Sequence, residues 1–479
     1  MPPSTKRLPK AINPSYFYVA LITLFGAGLR LFRLGQWSLW VDEVFTIYAA
    51  QNFWRNLSEW PFFALTEFPT TSIVMGFFLR NGVNEWNARL GPALIGVVTI
   101  PLVFLAVRKM FDQRVALLTA VFLSVAPWHI HWSQNARFYI LMLLFFTLAL
   151  FFFYFGLEEN KIGYILFSLH LFGLAATERL LAGYFLPIIF IYTFLVWVLP
   201  NQKPSGLNFK NVGLLFGLAF IIILFSGWTF ISEPGLWQDI YFIDNRVSPL
   251  NIILQHVRGI DVHILMVGFV GGAVLLFQQQ YFRPVLFLLI SALTPLLLTT
   301  GVSVFQFAHG RYTFLSLIFW LVLAALAVFK LVEGNKQRSQ AVMLGSIVIA
   351  LFIFVPLQEL YDYYTVENGG RIEWKSTFFY LDEQIQPDDI LISNDPIVGE
   401  FYISETFVDM HTVDSRFIES AICDLENRAW VVMGGKSRIH SQFERIIQEV
   451  GTAIEFNAHN IRLFVVEPAT LNANLSCQT

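Results

Sequence analysis

Two adjacent carboxylates, Asp42 and Glu43, stand at the end of the apolar and aromatic run Trp37-Ser38-Leu39-Trp40-Val41-Asp42-Glu43. A carboxylate held among apolar groups suits a general base that takes a proton from a hydroxyl. The same pair could instead form an ion pair at a membrane interface with Arg30 or Arg33. A second polar group is His129-Ile130-His131-Trp132-Ser133-Gln134-Asn135-Ala136-Arg137-Phe138-Tyr139. Arg137 could grip a phosphate through two parallel charge-assisted hydrogen bonds, helped by donors from Gln134, Asn135 and Tyr139. It could equally snorkel to lipid headgroups. The i, i+2 spacing of His129 and His131 on a helix end points the two rings apart, so packing or hydrogen bonding is expected of them rather than metal ligation. Thr177-Glu178-Arg179 adds an acid that could enter a substrate site or satisfy its own neighbouring arginine, and Ala308-His309-Gly310-Arg311-Tyr312 adds a further Arg beside a phenol. Arginines at membrane level usually mark a substrate path, and Arg137 with Arg311 could neutralise a phosphate or pyrophosphate.

The elements that must position these groups are membrane helices. Of 479 residues, 56% are hydrophobic and only 14% charged, against about 25% charged in soluble proteins. The apolar residues gather in blocks near 16–34, 90–107, 115–130, 138–157, 162–176, 180–199, 211–231, 263–279, 284–300, 312–329 and 341–357. Each approaches the length that crosses bilayer hydrocarbon, so about eleven transmembrane helices are expected, the first retained rather than cleaved as a signal. With the basic N-terminus in the cytoplasm, Lys6, Lys10, Lys109, Lys161, Lys203, Lys210, Lys330 and Lys336 all fall on the cytoplasmic side, as the positive-inside rule requires. Asp42, Arg137, Glu178 and Arg311 then share the opposite face.

The domain reading is a transmembrane domain over 1–357, with outer loops 35–88 and 232–262, followed by an extracytoplasmic α/β domain over 358–479. Within the latter, 371–385 reads as an amphipathic helix, 389–393, 429–433 and 462–466 as short strands, and 437–450 as a second helix. The outer loop 232–262 carries Glu233, Asp239, Asp244, Arg246 and Asp261 among aromatics that could recognise a sugar. Cys423 and Cys477 could pair outside the cytoplasm or stay as two thiols.

The net charge of -3 gives no basic field for nucleic acid. Gly-rich phosphate loops, Ser-His-Asp arrangements and dinucleotide fingerprints are absent from the sequence. No Asp-x-Asp pair occurs, so no metal or cofactor is expected, although scattered outer carboxylates and histidines could still recruit a divalent ion.

Ser38-Leu39-Trp40-Val41-Asp42-Glu43, Ser133-Gln134-Asn135-Ala136-Arg137-Phe138-Tyr139 and Arg311-Tyr312, in that order, resemble the polyprenyl-phosphate-sugar-dependent membrane glycosyltransferases of the GT-C class. The likeness is to the bacterial relatives of protein O-mannosyltransferases and to the aminoarabinose lipid A transferases. It implies a GT-C-like helical membrane fold and a multi-pass enzyme of the cell membrane. That enzyme would move a sugar from a polyprenyl-phosphate donor to a hydroxyl of a glycolipid, protein or polymer, with inversion at the anomeric carbon. The resemblance points to Asp42 as the base with Glu43 as its neighbour. Arg137, Tyr139, Arg311 and Tyr312 would sit at the donor phosphate, and Gln134, Glu178 and His309 at the substrates. Where relatives often carry His or Tyr between the fifth and sixth spans, this chain has Thr177-Glu178-Arg179. A transporter or flippase of lipid-linked sugars is the alternative, but such proteins use repeats and broken helices, neither of which is read here.

Overall fold

The structure is a computed structural model that describes residues 14–55, 69–217, 220–221, 247–334, 338–410, 427–435, 447, 451–454, 456 and 458–467. Among them, seven helices are long and apolar enough to cross a membrane: Pro14–Leu31, Glu85–Met110, Tyr139–Glu158, Leu180–Val198, Phe282–Val302, Gly310–Glu333 and Val342–Thr365. Two bent pairs, Gln113–Val125 with Pro127–Ser133 and Pro249–Ile260 with Val262–Leu276, raise the count to nine if each is one span. Ile162–Glu178 is a shorter apolar helix of 17 residues. Most of the expected block 211–231 lies outside the described residues, as do 232–246 of the loop 232–262, nearly all of the expected helix at 437–450 and both cysteines; the rest of that loop holds the helix Pro249–Ile260. The chain is a multi-pass helical membrane protein.

The bent pairs correct the expectation of unbroken spans, and each break has a local cause. Helix α5 (Gln113–Val125) stops at Ala126, and α6 (Pro127–Ser133) leaves at 60°. Pro127 has no N–H, so a carbonyl one turn back loses its helical partner. Arg30 of α1 (Pro14–Leu31) fills the gap: its Nη2 donates to the carbonyl of Leu123 at 3.0 Å and its Nη1 to that of Ser124 at 3.0 Å. The second break, of 93°, falls at Asp261, whose φ of 84° turns the chain sharply. Its carboxylate then caps the new helix by accepting from His263 N at 2.8 Å.

Two compact units divide the chain: one within Met1–Phe32, Phe63–Thr71 and Gly91–Glu359, the other within Arg33–Phe62, Ser72–Leu90 and Leu360–Thr479. The first is the helix bundle, in which α7 (Tyr139–Glu158) is buried along most of its length and packs on α8 (Ile162–Glu178). The second joins α2 (Val41–Arg55) and its flanking segments to the C-terminal residues. Much of the segment 35–88, expected to belong with the transmembrane domain, therefore packs with the C-terminal part.

The second unit holds a five-stranded sheet of order β2-β1-β3-β5-β4, built from Ile390–Ser393 (β1), Val408–Asp409 (β2), Ala429–Gly434 (β3), Thr452–Ile454 (β4) and Ile461–Val466 (β5). β1 runs parallel to β2 and β3, while β5 pairs antiparallel with β3 and β4. All six residues of β3 are buried, as expected of an unbroken apolar run in the centre of a sheet. Ile392, Val431, Met433, Ile447 and Phe464 make the core of this sheet. The helix expected at 371–385 is Trp374–Gln384.

At the sheet edge, burial alone would raise the Asp389 carboxyl. Hydrogen bonds from Arg428, Gln386 N and Trp430 Nε1 outweigh it and hold the group below its ordinary value. A carboxylate with a depressed folded value stabilises the fold above its unfolded pKa and loses that contribution as pH falls through the folded one. Asp389→Asn should therefore lower the melting temperature at neutral pH, and the gap to wild type should close below about pH 4. Thermal unfolding in detergent across that range checks it; a gap that persists in acid would mean that charge is not the cause.

Candidate active site

In the second unit the site begins where Trp37, Ser38 and Leu39 bury themselves before α2. Trp37 packs against Tyr363 and Tyr364, with ring centres at 5.2 and 5.8 Å. A Cβ on Gly369, whose φ is 65°, would fall 2.4 Å from the Trp37 ring. Only glycine meets both demands of that turn. Helix α2 starts at Val41, which places Asp42 and Glu43 in its first turn, where the helix dipole favours negative charge.

Adjacent residues point about 100° apart on a helix, and the two carboxylates have different surroundings. Asp42 is half-buried, and its backbone carbonyl accepts from Thr46 Oγ1 at 2.9 Å. Glu43 is fully buried and held side-on by Arg89, whose Nε donates to Oε1 at 2.8 Å and Nη2 to Oε2 at 2.7 Å. Trp40 N also donates to Glu43 Oε2, at 3.4 Å, as in a capping box. The remaining donors of Arg89 go to the carbonyls of Leu34, Trp37 and Ser38.

Glu43 is thus committed to holding the loop that presents Asp42. The side-on partner of Glu43 is Arg89, whereas Arg30 serves the α5–α6 break and Arg33 donates to the Tyr364 carbonyl. Beside the pair stands Arg371, with Nε 3.7 Å from Glu43 Oε2. Burial pushes its guanidinium below the ordinary range, and Glu43 pulls it back in part. Lys375 and Tyr402 both bind Glu85, and the phenol of Tyr402 accepts from Leu39 N at 2.8 Å. Burial, then Glu85, pushes that phenol well above its ordinary range.

In the first unit, the stretch around Arg137 divides into structural and exposed-charge roles. Gln134 Nε2 donates to the carbonyls of Arg30 and Phe32, at 3.0 and 2.8 Å, and so caps the end of α1. His129 is buried, and its Nδ1 receives Arg30 Nη2 at 2.8 Å; among the described residues, no three His, Cys, Asp or Glu side chains gather to hold a metal.

Arg137, buried but for 8%, lies 5.0 Å from the centre of the Phe138 ring. Arg179 lies 5.9 Å from the same ring, and Arg311 lies 6.0 Å from Tyr139 and 5.9 Å from Tyr312. Phe138 and Tyr139 touch at 4.3 Å, and Trp132 lies 4.1 Å from Tyr139. Three guanidinium groups therefore surround one aromatic platform, within the range where ring faces attract cations.

His309 opens the turn before Tyr312, and its Nδ1 accepts from Arg311 N at 3.1 Å. Burial and then Arg311 bring its imidazole down to about 4. The ring is neutral at physiological pH, with its proton on Nε2. Glu178 does not pair with Arg179. Its carboxylate receives Thr70 N at 2.8 Å, Thr71 N at 3.3 Å and Thr71 Oγ1, capping α3 (Pro69–Leu79). An anion on a helix N-terminus is ordinary stabilising chemistry, so the unusual Thr177-Glu178-Arg179 triplet has a structural account. Sequence reasoning missed Arg89, Arg179 as a member of the basic cluster, and Arg371. Only Arg179 had a local signal, its place beside an acid already singled out.

An apolar bundle bearing grouped arginines, with a small sheet domain at its C-terminal end, defines a polytopic membrane protein of the GT-C fold. A family model described as dolichyl-phosphate-mannose-protein mannosyltransferase matches residues 69–231. The fold is similar to that of ArnT from Cupriavidus metallidurans in the apo state, with a TM-score of 0.61 and 14% identity over 96% of this chain and 99% of that one. The same protein bound to undecaprenyl phosphate gives 0.56 and 16% over 94% and 98%. The archaeal oligosaccharyltransferase AglB from Archaeoglobus fulgidus, in complex with an inhibitory peptide and a dolichol-phosphate, gives 0.60 and 14% over 93% and 74%. No curated protein sequence matches the chain. The family model thus matches about a third of the chain, and the likeness of the helical fold extends over nearly all of it.

Removing the charge of Glu43 would leave two buried guanidinium groups without a counter-ion. Breaking a buried pair from one side costs about 3–5 kcal/mol, so Glu43→Gln should unfold at a markedly lower temperature than wild type in detergent. An unchanged melting temperature would return Glu43 to the chemistry of the site.

Proposed function

We propose that the protein transfers a sugar from a polyprenyl-phosphate donor to an acceptor hydroxyl on the extracytoplasmic face of the cell membrane. The observation that carries this reading is the gathering of Arg137, Arg179 and Arg311 around Phe138 and Tyr139 in an apolar bundle. Grouped cations in an apolar helix bundle suit an anionic lipid headgroup. The relatives support the same donor class: one solved relative is ArnT with undecaprenyl phosphate, another AglB with a dolichol-phosphate. The positive-inside pattern of the lysines supports an extracytoplasmic position for the site and for the C-terminal residues.

On this reading, the chemistry needs a base at one reactant and positive charge at the other. Asp42 takes the proton of the acceptor hydroxyl as its oxygen attacks the anomeric carbon. The bond from that carbon to the phosphate oxygen breaks, and its electron pair leaves with the lipid phosphate. Arg137, Arg179 and Arg311 stabilise the charge that accumulates there, with the Tyr139 and Tyr312 hydroxyls and the neutral His309 Nε2–H as further donors. Attack opposite the phosphate inverts the anomeric centre. Glu43 holds Asp42 in place and stays out of the reaction. A flippase would need the arginines but no base, and the shared fold with ArnT over nearly both chains supports transfer.

Purified protein in detergent, offered a panel of radiolabelled polyprenyl-phosphate sugars, should release lipid phosphate, and Asp42→Asn should not while keeping its melting temperature. Normal turnover in Asp42→Asn would sink the assignment; donor binding without turnover in both proteins would favour a transporter. Arg137→Ala should weaken donor binding by about 1.5–3 kcal/mol, the worth of a hydrogen bond to a charged group. Equilibrium binding of the lipid checks it, and unchanged affinity would leave Arg137 as a headgroup anchor.

A further inference from the structure

In the second unit, one carboxylate serves two buried guanidinium groups. Both oxygens of Glu43 are occupied by the Nε and Nη2 of Arg89, at 2.8 and 2.7 Å. Arg371 Nε stands 3.7 Å from Oε2, close enough to feel the charge but too far for a hydrogen bond. Neither Nε nor Nη2 of Arg371 makes any hydrogen bond, although both atoms are buried and the residue is only 6% exposed. These two nitrogens form one edge of the guanidinium, where parallel N–H groups match the paired oxygens of a carboxylate or a phosphate. Arg89 uses the same edge on Glu43. The backbone of Arg371 is fixed: its N–H donates to Asn368 O at 3.1 Å, Asn368 Nδ2 donates to its carbonyl, and the turn between them packs on Trp37. Buried N–H groups without hydrogen bonds are costly, and the shared charge of Glu43 at 3.7 Å offsets this cost only in part.

We propose that Arg371 is an oxyanion-binding residue, its Nε–Nη2 edge receiving two oxygens of a carboxylate or phosphate while the Glu43–Arg89 pair forms the wall behind it. Glu43 shares the first turn of α2 with Asp42. Resting on the reading of Asp42 as the acceptor's base, the occupant during turnover is an acidic group of the acceptor, borne near the hydroxyl that is glycosylated. The acceptor class is then an acidic glycolipid, polymer or peptide.

The test uses the full chain in detergent: wild type and Arg371→Met, in a rising series of inorganic phosphate against chloride at matched ionic strength. A ligand of the native state raises its melting temperature, so phosphate should stabilise wild type and leave Arg371→Met unmoved. Without phosphate, Arg371→Met should melt at or above wild type, because a buried guanidinium whose Nε and Nη2 make no hydrogen bond has been removed, while Glu43 keeps Arg89. Wild type indifferent to phosphate, an equal response in Arg371→Met, or a loss of stability in Arg371→Met without phosphate would each overturn the site. With acceptors that differ only in an acidic group, wild type should favour the acidic one about tenfold or more in KM, the equivalent of one charge-assisted hydrogen bond. Arg371→Met should lose that preference, the ratio of KM between the two acceptors falling towards one. An acceptor preference that survives in Arg371→Met would overturn the assigned occupant. Failure of the transfer reading itself would leave the phosphate response intact.

Discussion

A buried ion pair, Glu43 with Arg89, governs the second compact unit. Arg89 closes on both oxygens of the carboxylate and, with its other nitrogens, on three carbonyls of the chain between Leu34 and Ser38. That single guanidinium therefore fixes the approach to α2, the direction of its first turn, and so the place of Asp42. A chain segment with its polar backbone turned inward needs every carbonyl satisfied. Here one side chain does most of it. Trp37 and Gly369 seal the same loop by shape alone.

In the bundle the equivalent problem is solved by other residues with the same logic. Arg30 accepts the duty of the N–H that Pro127 lacks, Gln134 covers the end of α1, and Glu178 covers the start of α3. Each is a polar group in an apolar setting, and each meets backbone groups that a helix end or break leaves open. Arg137, Arg179 and Arg311 stand against aromatic faces. Polar residues in a membrane protein thus divide by what they touch: backbone for those that shape the fold, ring faces for those that suit a ligand.

This division explains what could be read from the sequence. Among the described residues, most apolar blocks, the three strand runs and the helix after residue 371 are written in local periodicity and length and emerge within a few residues of their expected ends, while the block 341–357 runs on to Thr365. Pro127 lies inside the block 115–130, which reads as one unbroken span, and the carbonyls freed at its break are met by Arg30, some ninety residues away, which no local pattern encodes. Gln134 and Glu178 have the residue types of a substrate site, but backbone partners claim them. Asp42 and Glu43 looked like one acidic pair, whereas the helical period alone separates their faces. Arg89 lay hidden because it sits at the edge of an apolar span, where one arginine draws no attention, and its carboxylate is 46 positions earlier. Arg371 lay hidden behind a Gly-Gly turn with no motif around it.

Arg30 also carries a consequence for how the protein is made. It lies in the last turn of the first membrane helix, and its partners Leu123, Ser124 and His129 come 93 to 99 residues later. At ordinary rates of synthesis the wait is roughly 5–20 s. Throughout that interval the helix enters the bilayer bearing an arginine whose insertion is unfavourable by about 2.5–3.5 kcal/mol at mid-span, less near the end where it can reach the headgroups. The first helix therefore gains the partners of its arginine only once the α5–α6 break has been made, and that contact comes late in the order of assembly.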